Sequence, residues 1–167
     1  MAAIRSIASA RSLSALRRAP VVAFRRGYAE AASNEALKVS LVLPHQPLYN
    51  SSDAVQVNIS AASGDMGILA NHVPSVEPLK AGVIEIIEQS GTKKWFASGG
   101  FATVHPNNTL TINAIEAAPL DDFALEAVRQ NLAEVQKVLA GNASEHEKVE
   151  ARVELDVYEA LQHALSK

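Results

Sequence analysis

The chain has 167 residues, 48% of them hydrophobic, with no cysteine and a formal charge of −3. Such a length suits one compact domain with an appendage, or two small domains. Without thiols there is no disulfide framework, thiolate metal site or cysteine nucleophile, and no apolar run approaches the roughly 20 residues that cross a bilayer, so no direct membrane insertion is expected.

The charge is placed unevenly. Residues 1–28 carry Arg5, Arg11, Arg17, Arg18, Arg25 and Arg26 and no acid; the first acid is Glu30. Beyond them, acids outnumber lysines and arginines two to one. An acid-free, Arg-, Ser- and Ala-rich start has the composition of a mitochondrial transit peptide, and its charge suits a negative-inside membrane potential. Its helical pattern is less regular, because Arg11 falls among Ile4, Ile7, Ala8 and Ala15 at about 100° per residue. A basic arm for nucleic acid ranks below the leader, since an acidic remainder repels phosphate backbones, and no nucleic-acid partner is expected. Arg26-Gly27-Tyr28-Ala29 resembles a matrix-protease cleavage site, which divides a leader, 1–28, from a polar lead-in, 29–36.

From 37 to 118 the signals are those of short strands. Val55-Gln56-Val57-Asn58-Ile59 alternates, as a half-buried strand does. Residues 83–87 are nearly continuous and β-branched. Ser90-Gly91 then turns into 93–97, which reads as a hairpin. Gly99-Gly100 interrupts the run before 101–104, and Pro106-Asn107-Asn108 turns it into 109–113. This spacing predicts an all-β sandwich or barrel.

The pattern changes after Pro119, opening a helical segment, 119–167. Leu125, Val128, Leu132, Val135 and Leu139 step by three or four along one face of an amphipathic helix, with Asp121 or Asp122 as its expected cap. Gly141-Asn142 ends it. Ser144 and Glu147 form the spacing of a capping box that opens a second helix, to about Leu165. So short a link makes the two helices antiparallel neighbours. The second helix has two apolar stripes: Val149, Val153, Val157, Ala160 and Ala164 on one, and Ala151, Leu155, Tyr158, Leu161 and Leu165 on the other. One can pack on the first helix; the other needs the sandwich or a partner.

Chemistry is harder to find. His45, His72, His105, His146 and His163 lie far apart, and none forms an H-x-H or H-E-x-x-H pair. His72 and Glu77 alone match a metal cluster weakly, so no metal is expected. Ser98-Gly99-Gly100 lacks the Lys-Ser/Thr and following helix of a phosphate loop, and reads as a bend between strands. No nucleophile–base–acid arrangement can be read from spacing. No cofactor and no catalytic residue are assigned. The densest stretch of special residues is 63–74, where Gly64 and Gly67 flank Asp65-Met66, and Ile68-Leu69 precede a turn with His72. It reads as a stiff loop that presents a carboxylate, an imidazole and apolar groups to a partner.

At these residues the chain resembles a known family. Residues 64–74 look like the G-E-x-G-I-x-P-x-H-x-P segment of the F-type ATP synthase stalk subunit, called epsilon in bacteria and chloroplasts and delta in mitochondria. Lys80-Ala81-Gly82-Val83-Ile84 is similar to its K-x-G-x-I step, and Ser98-Gly99-Gly100-Phe101 with Val104 to its S-G-G-x-x-x-V signature. The matches run in order from 37 to 118, and the helices follow where the family has them.

The resemblance implies a sandwich of two antiparallel sheets followed by an antiparallel helical hairpin, in a non-catalytic rotor subunit. The subunit would join the proton-carrying membrane ring to the gamma shaft, beside a small mitochondrial epsilon subunit, peripherally on the matrix side of the inner membrane. Asp65 and His72 match positions that face the ring's polar loops, with Met66, Ile68 and Leu69 as their apolar neighbours. Gly64, Gly67, Gly82, Gly99 and Gly100 stand as structural turns, and Leu125 to Leu139 with Val149, Val153 and Val157 as the hairpin interface. The departures are Asp65 for glutamate, Ala70-Asn71 for Pro-Gly, and Ala124 where ATP-binding relatives carry arginine, which argues against a nucleotide site. Two other readings are a β-sandwich binding module with a helical dimerisation hairpin, and a metal-dependent β-barrel enzyme, disfavoured by the scattered histidines.

Overall fold

The structure is a computed structural model that describes residues 36–166. The leader, 1–28, and the lead-in up to 35 lie outside the described residues. Nine strands come first: β1 (Leu37–Val42), β2 (Pro47–Ala61), β3 (Gly64–Leu69), β4 (Ser75–Leu79), β5 (Gly82–Glu88), β6 (Gly91–Ala97), β7 (Gly100–His105), β8 (Thr109–Ala114) and β9 (Ala117–Pro119). Alternation drives burial. Leu37, Val39 and Leu41 of β1 turn inward, as do Val57 and Ile59, Ile84 and Ile86, Ala102 and Val104, and Leu110 and Ile112. Each fully buried Leu, Ile or Val contributes about 1.5–3 kcal/mol relative to an exposed one.

All nine strands share one hydrogen-bonded sheet, in the order β1-β8-β7-β4-β2-β5-β6-β9, with β3 on β2 and an added β1–β2 pairing. Because β1 meets both β8 and β2, the run β1-β8-β7-β4-β2 closes on itself. The expectation of purely antiparallel sheets needs correction here. β1 runs parallel to β8, from Lys38 opposite Thr109 to Val42 opposite Asn113. Strand periodicity reports which face is buried and carries no information about a neighbour's direction. Closure depends on the 15 residues of β2, long enough to pair in turn with β1, β5, β3 and β4. Its ladders to β1 and β5 contain register shifts, the irregularities that bend a strand.

Two helices follow, α1 (Leu125–Ala140) and α2 (Glu145–Leu165). Neither aspartate caps α1: Asp121 and Asp122 lie in a 3-10 turn, and the N-cap is Ala124, with no side-chain cap. Phe123 explains the delay. It stays extended and meets Phe96 of β6 edge to face, ring centroids 5.8 Å apart, so tertiary packing overrides the local cap. At α2 the capping box is complete: Ser144 N–H donates to Glu147 Oε2 at 2.7 Å and Glu147 N–H to Ser144 Oγ at 3.3 Å.

Phe96, Val128 and Leu161 form a second buried cluster that joins both helices to the sheet, with Val83, Phe123, Val157 and Tyr158 packed around it. Along α1, Val128 and Val135 are buried and Leu125, Leu132 and Leu139 half-buried. On α2 the buried positions are Ala151 and Leu161, whereas Val149 and Val153 are 51% and 63% exposed. Of the three valines expected in the hairpin seam, only Val157 is packed. The stripe through Ala151 and Leu161 takes the inner place, because it continues under the sheet to Phe96.

A polar cluster fastens the first half of β2 to the β5–β6 hairpin. The Tyr49 hydroxyl donates to Glu88, as do Ser51 Oγ at 2.6 Å and Ser90 Oγ at 3.2 Å. Lys93 Nζ stands 3.5 Å from the same carboxylate and 4.7 Å above the Tyr49 ring. The Ser51 and Tyr49 hydroxyls hold the Glu88 carboxyl well below the usual range, from 4.5 to about 2, against the opposing effect of burial. A carboxyl that is more acidic folded than unfolded stabilises the fold above its unfolded value, and loses that effect as pH falls through the folded one. Glu88→Gln should therefore destabilise the chain by about 1–3 kcal/mol at pH 7. In denaturant titrations the gap to the parent should close between pH 4.5 and about 2; a gap that stays constant over that range would refute the assignment.

Candidate functional site

Residues 63–74, expected as a loop, form strand β3 and a turn. β3 pairs with β2 along its whole length, from Ala61 opposite Gly64 to Gln56 opposite Leu69, and among the described residues β2 is its sole neighbour in the sheet. The period of two then splits the expected contact set. Asp65 and Leu69 point outward, Leu69 being 49% exposed. Ile68 is completely buried and Met66 packs against the main core. Ile68 is thus a core residue and cannot face a partner, a correction the alternation itself explains.

His72 lies beyond the other end of β3, in the turn to β4. Its N–H donates to Leu69 O at 3.2 Å, its Nδ1 lies 2.8 Å from Val73 O, and Asn71 before it has φ 62°. Asp65 and Leu69, four residues apart, are about 13 Å apart along an extended strand. Asp65 and His72 therefore mark the two ends of one edge.

The glycines expected as turns need the same correction: Gly64, Gly67, Gly82 and Gly100 lie in strands, and of the five Gly99 alone stands between two. A Cβ on Gly67 would stand 3.0 Å from Gln56 Nε2 and 3.3 Å from Asn58 Oδ1, and one on Gly82 2.6 Å from Ser60 Cβ. Both are places where a neighbouring side chain crosses the backbone. Gly64, Gly99 and Gly100 have φ of 134°, 153° and 143°.

Beside β3 an open groove of about 670 Å³ runs between the sheet and the C-terminal part of α2, lined among others by Asn58, Asp65, Lys80, Glu85, Lys94 and His163. Several of its polar groups serve one another: Lys94 Nζ is 3.1 Å from Glu85 Oε1, and Asn58 Nδ2 donates to Glu85 Oε2 at 3.0 Å. The histidines stay apart. His105 approaches Thr111 at 3.3 Å, and His146 pairs with Glu150 on the outer face of α2. Among the described residues no group of three or more His, Asp or Glu could hold a metal ion. None of their helices is long and apolar enough to cross a membrane.

The surface offers apolar side chains instead. Val76 of β4, Phe101 of β7 and Ile115 after β8 are 63%, 56% and 65% exposed, and β4 pairs with β7 so that Pro78 stands opposite Phe101. Val149 and Val153 make a second exposed set on α2. Apolar groups exposed in groups on different faces suit protein contacts more than a reaction. Val76, Phe101 and Ile115 are not among the residues expected to meet a partner, although the outward positions of Val76 in β4 and Phe101 in β7 follow from the same alternation as the core.

Comparisons with known proteins agree with this arrangement. The family profile of the ATP synthase delta/epsilon chain β-sandwich domain matches residues 36–119, and the two helices follow it. The mitochondrial ATP synthase subunit delta of Agaricus bisporus is 60% identical over 168 residues, covering 100% of both chains. That of Neurospora crassa is 56% identical, covering 84% of this chain and 86% of its own. A chain of the Euglena gracilis mitochondrial ATP synthase superposes with a TM-score of 0.74 at 24% identity, covering 83% of this chain and 86% of that one, a likeness of fold. With its strand core, its two trailing helices and a relative matched over the full length of both chains, this chain belongs to the ATP synthase delta/epsilon family, whose members are structural and not catalytic subunits.

Proposed function

We propose that the chain is a non-catalytic central-stalk subunit of a mitochondrial ATP synthase, tying the proton-carrying ring to the gamma shaft so that rotation reaches the catalytic head. The likeness to the Agaricus bisporus subunit over the full length of both chains carries this reading. Residues 1–28 are read as a cleaved leader, which places the mature protein peripherally on the matrix side of the inner membrane; the acid-free composition supports this. The ring's polar loops are assigned to the open edge of β3, from Asp65 through Leu69 to His72. Gamma and the small mitochondrial epsilon subunit are assigned to the apolar surfaces around Phe101 and around Val153. The two helices are read as an antiparallel hairpin, supported by the short link at 141–144 and by Asn131 Nδ2 donating to Tyr158 Oη at 3.4 Å. The strands are read as two layers that share β2.

In the assembled enzyme, Asp65→Cys and His72→Cys should each crosslink to the ring loops and not to the catalytic head. Absence of a crosslink from both positions refutes the docking. The exposure of Val149 and Val153 also suits a free-standing binding module that dimerises through its helices. Native purification decides between the two: co-migration with a long coiled coil and a very hydrophobic small subunit supports the stalk, and a homodimer alone supports the module.

A further inference from the structure

The β3–β4 turn is not held by its own residues alone. Asn108, in the turn between β7 and β8, accepts a hydrogen bond on its side-chain oxygen from the Asn71 backbone N–H, at 2.7 Å. Its backbone oxygen accepts from Lys38 N–H at the start of β1, at 2.9 Å. One residue thus ties together three parts of the chain that are distant in sequence. Asparagine fits the place for two reasons. Its φ is 55°, a left-handed geometry that asparagine tolerates better than most residues, and its carboxamide offers an acceptor of the right reach. Asn71, the donor, is itself left-handed at φ 62°, so the bond also holds a conformation the turn would otherwise leave readily.

The consequence concerns the end of the β3 edge. Among the described residues His72 bonds to its near neighbours Leu69 and Val73, and Val73 is 71% exposed. The long-range tie that fixes where this turn stands comes from Asn108. On the other side of that tie Pro106 and Asn107 are exposed, beside a shallow depression lined by His105, Pro106, Asn107 and Thr109.

We propose that Asn108 is a positioning residue for the His72 turn, and that the β7–β8 turn, through Pro106 and Asn107, is the second half of the surface that meets the ring loops. This rests on the assignment of His72 to the ring, and adds to it a second turn and the bond that makes both turns one rigid body. The polar ring loops then meet two braced turns instead of one, which keeps torque from being lost in a hinge between them.

Two substitutions separate the carboxamide from the backbone geometry. Asn108→Gly keeps the left-handed turn and deletes the acceptor; Asn108→Asp keeps an acceptor oxygen. In the full chain, hydrogen exchange at the Asn71 amide should accelerate about tenfold in Asn108→Gly, with the Leu110 and Ile112 amides unchanged, and should stay near the parent in Asn108→Asp. In the assembled enzyme, Asn107→Cys should crosslink to the ring loops as His72→Cys does, and the His72→Cys yield should fall severalfold when Asn108→Gly is added. Unchanged exchange at Asn71, or an undiminished His72→Cys yield, overturns the positioning role. A crosslink from His72→Cys with none from Asn107→Cys overturns the two-turn surface. Silence from both cysteines overturns the ring assignment itself, and this proposal with it.

Discussion

Gly100→Ala is expected to remove more than about 4 kcal/mol of stability, a large part of what holds a domain of this size together. A Cβ at this position would stand 2.1 Å from Asn113 O and 2.9 Å from Ala114 Cα. Both are backbone atoms of β8, so no side chain can swing aside. Nor can the strands separate cheaply: Gly100 is paired with Ala114 on one side and with Leu79 on the other, within the closed part of the sheet. Its φ of 143° adds a backbone penalty that only glycine escapes. Gly64→Ala supplies the control. With φ 134° and nothing within 4 Å of its would-be Cβ, it should cost about 1–3 kcal/mol from backbone strain alone. Denaturant unfolding of the full chain measures both, and a Gly100→Ala loss no greater than that of Gly64→Ala would show that the sheet relaxes where the geometry says it cannot.

Phe96→Ala should cost about 3–5 kcal/mol, concentrated in one region. Phe96 is 4% exposed and belongs to the cluster with Val128 and Leu161, separate from the main core of the strands. Removing its ring deletes the edge-to-face partner of Phe123 and leaves a cavity where both helices meet the sheet. The helices are expected to detach while the strand core survives. Amide exchange at Val128 and Leu161 should then accelerate by about a hundredfold or more, while Leu110 and Ile112 change by less than about tenfold. Equal acceleration at all four positions would mean that strands and helices unfold as one unit, against the division into two clusters.

Much of this fold could be read from the sequence where local chemistry and tertiary structure agree. The alternation of 55–59, the β-branched run at 83–87 and the turns at Ser90-Gly91 and Pro106-Asn107-Asn108 became β2, β5 and two hairpins. Ser144 and Glu147 announced α2 in the same way. The failures have physical reasons. Two glycines and an aspartate hide β3, whose extended form comes from pairing with β2. The aspartates before α1 carry a capping signal that Phe123 overrides. For the candidate site, the signal that separates Ile68 from Leu69 was present in their alternation, obscured by reading the stretch as a loop. The tie between Asn108 and Asn71 had no local signal, since nothing in either turn says that the other lies beside it.

The parallel pairing of β1 with β8 has a consequence for how the chain comes to be folded. Lys38 finds Thr109 about seventy residues downstream. β1 can zip to β2 early, since Leu37 and Ala54 are close in sequence, but its other side has no partner until β8 exists. A chain that emerges from its N-terminus therefore carries an uncovered strand edge through most of its synthesis, the kind of edge that recruits other chains. The ladder that must wait for β8 is also the one that shuts the ring, so slow closure and a need for protection before it follow from the same topology that makes the finished body stiff.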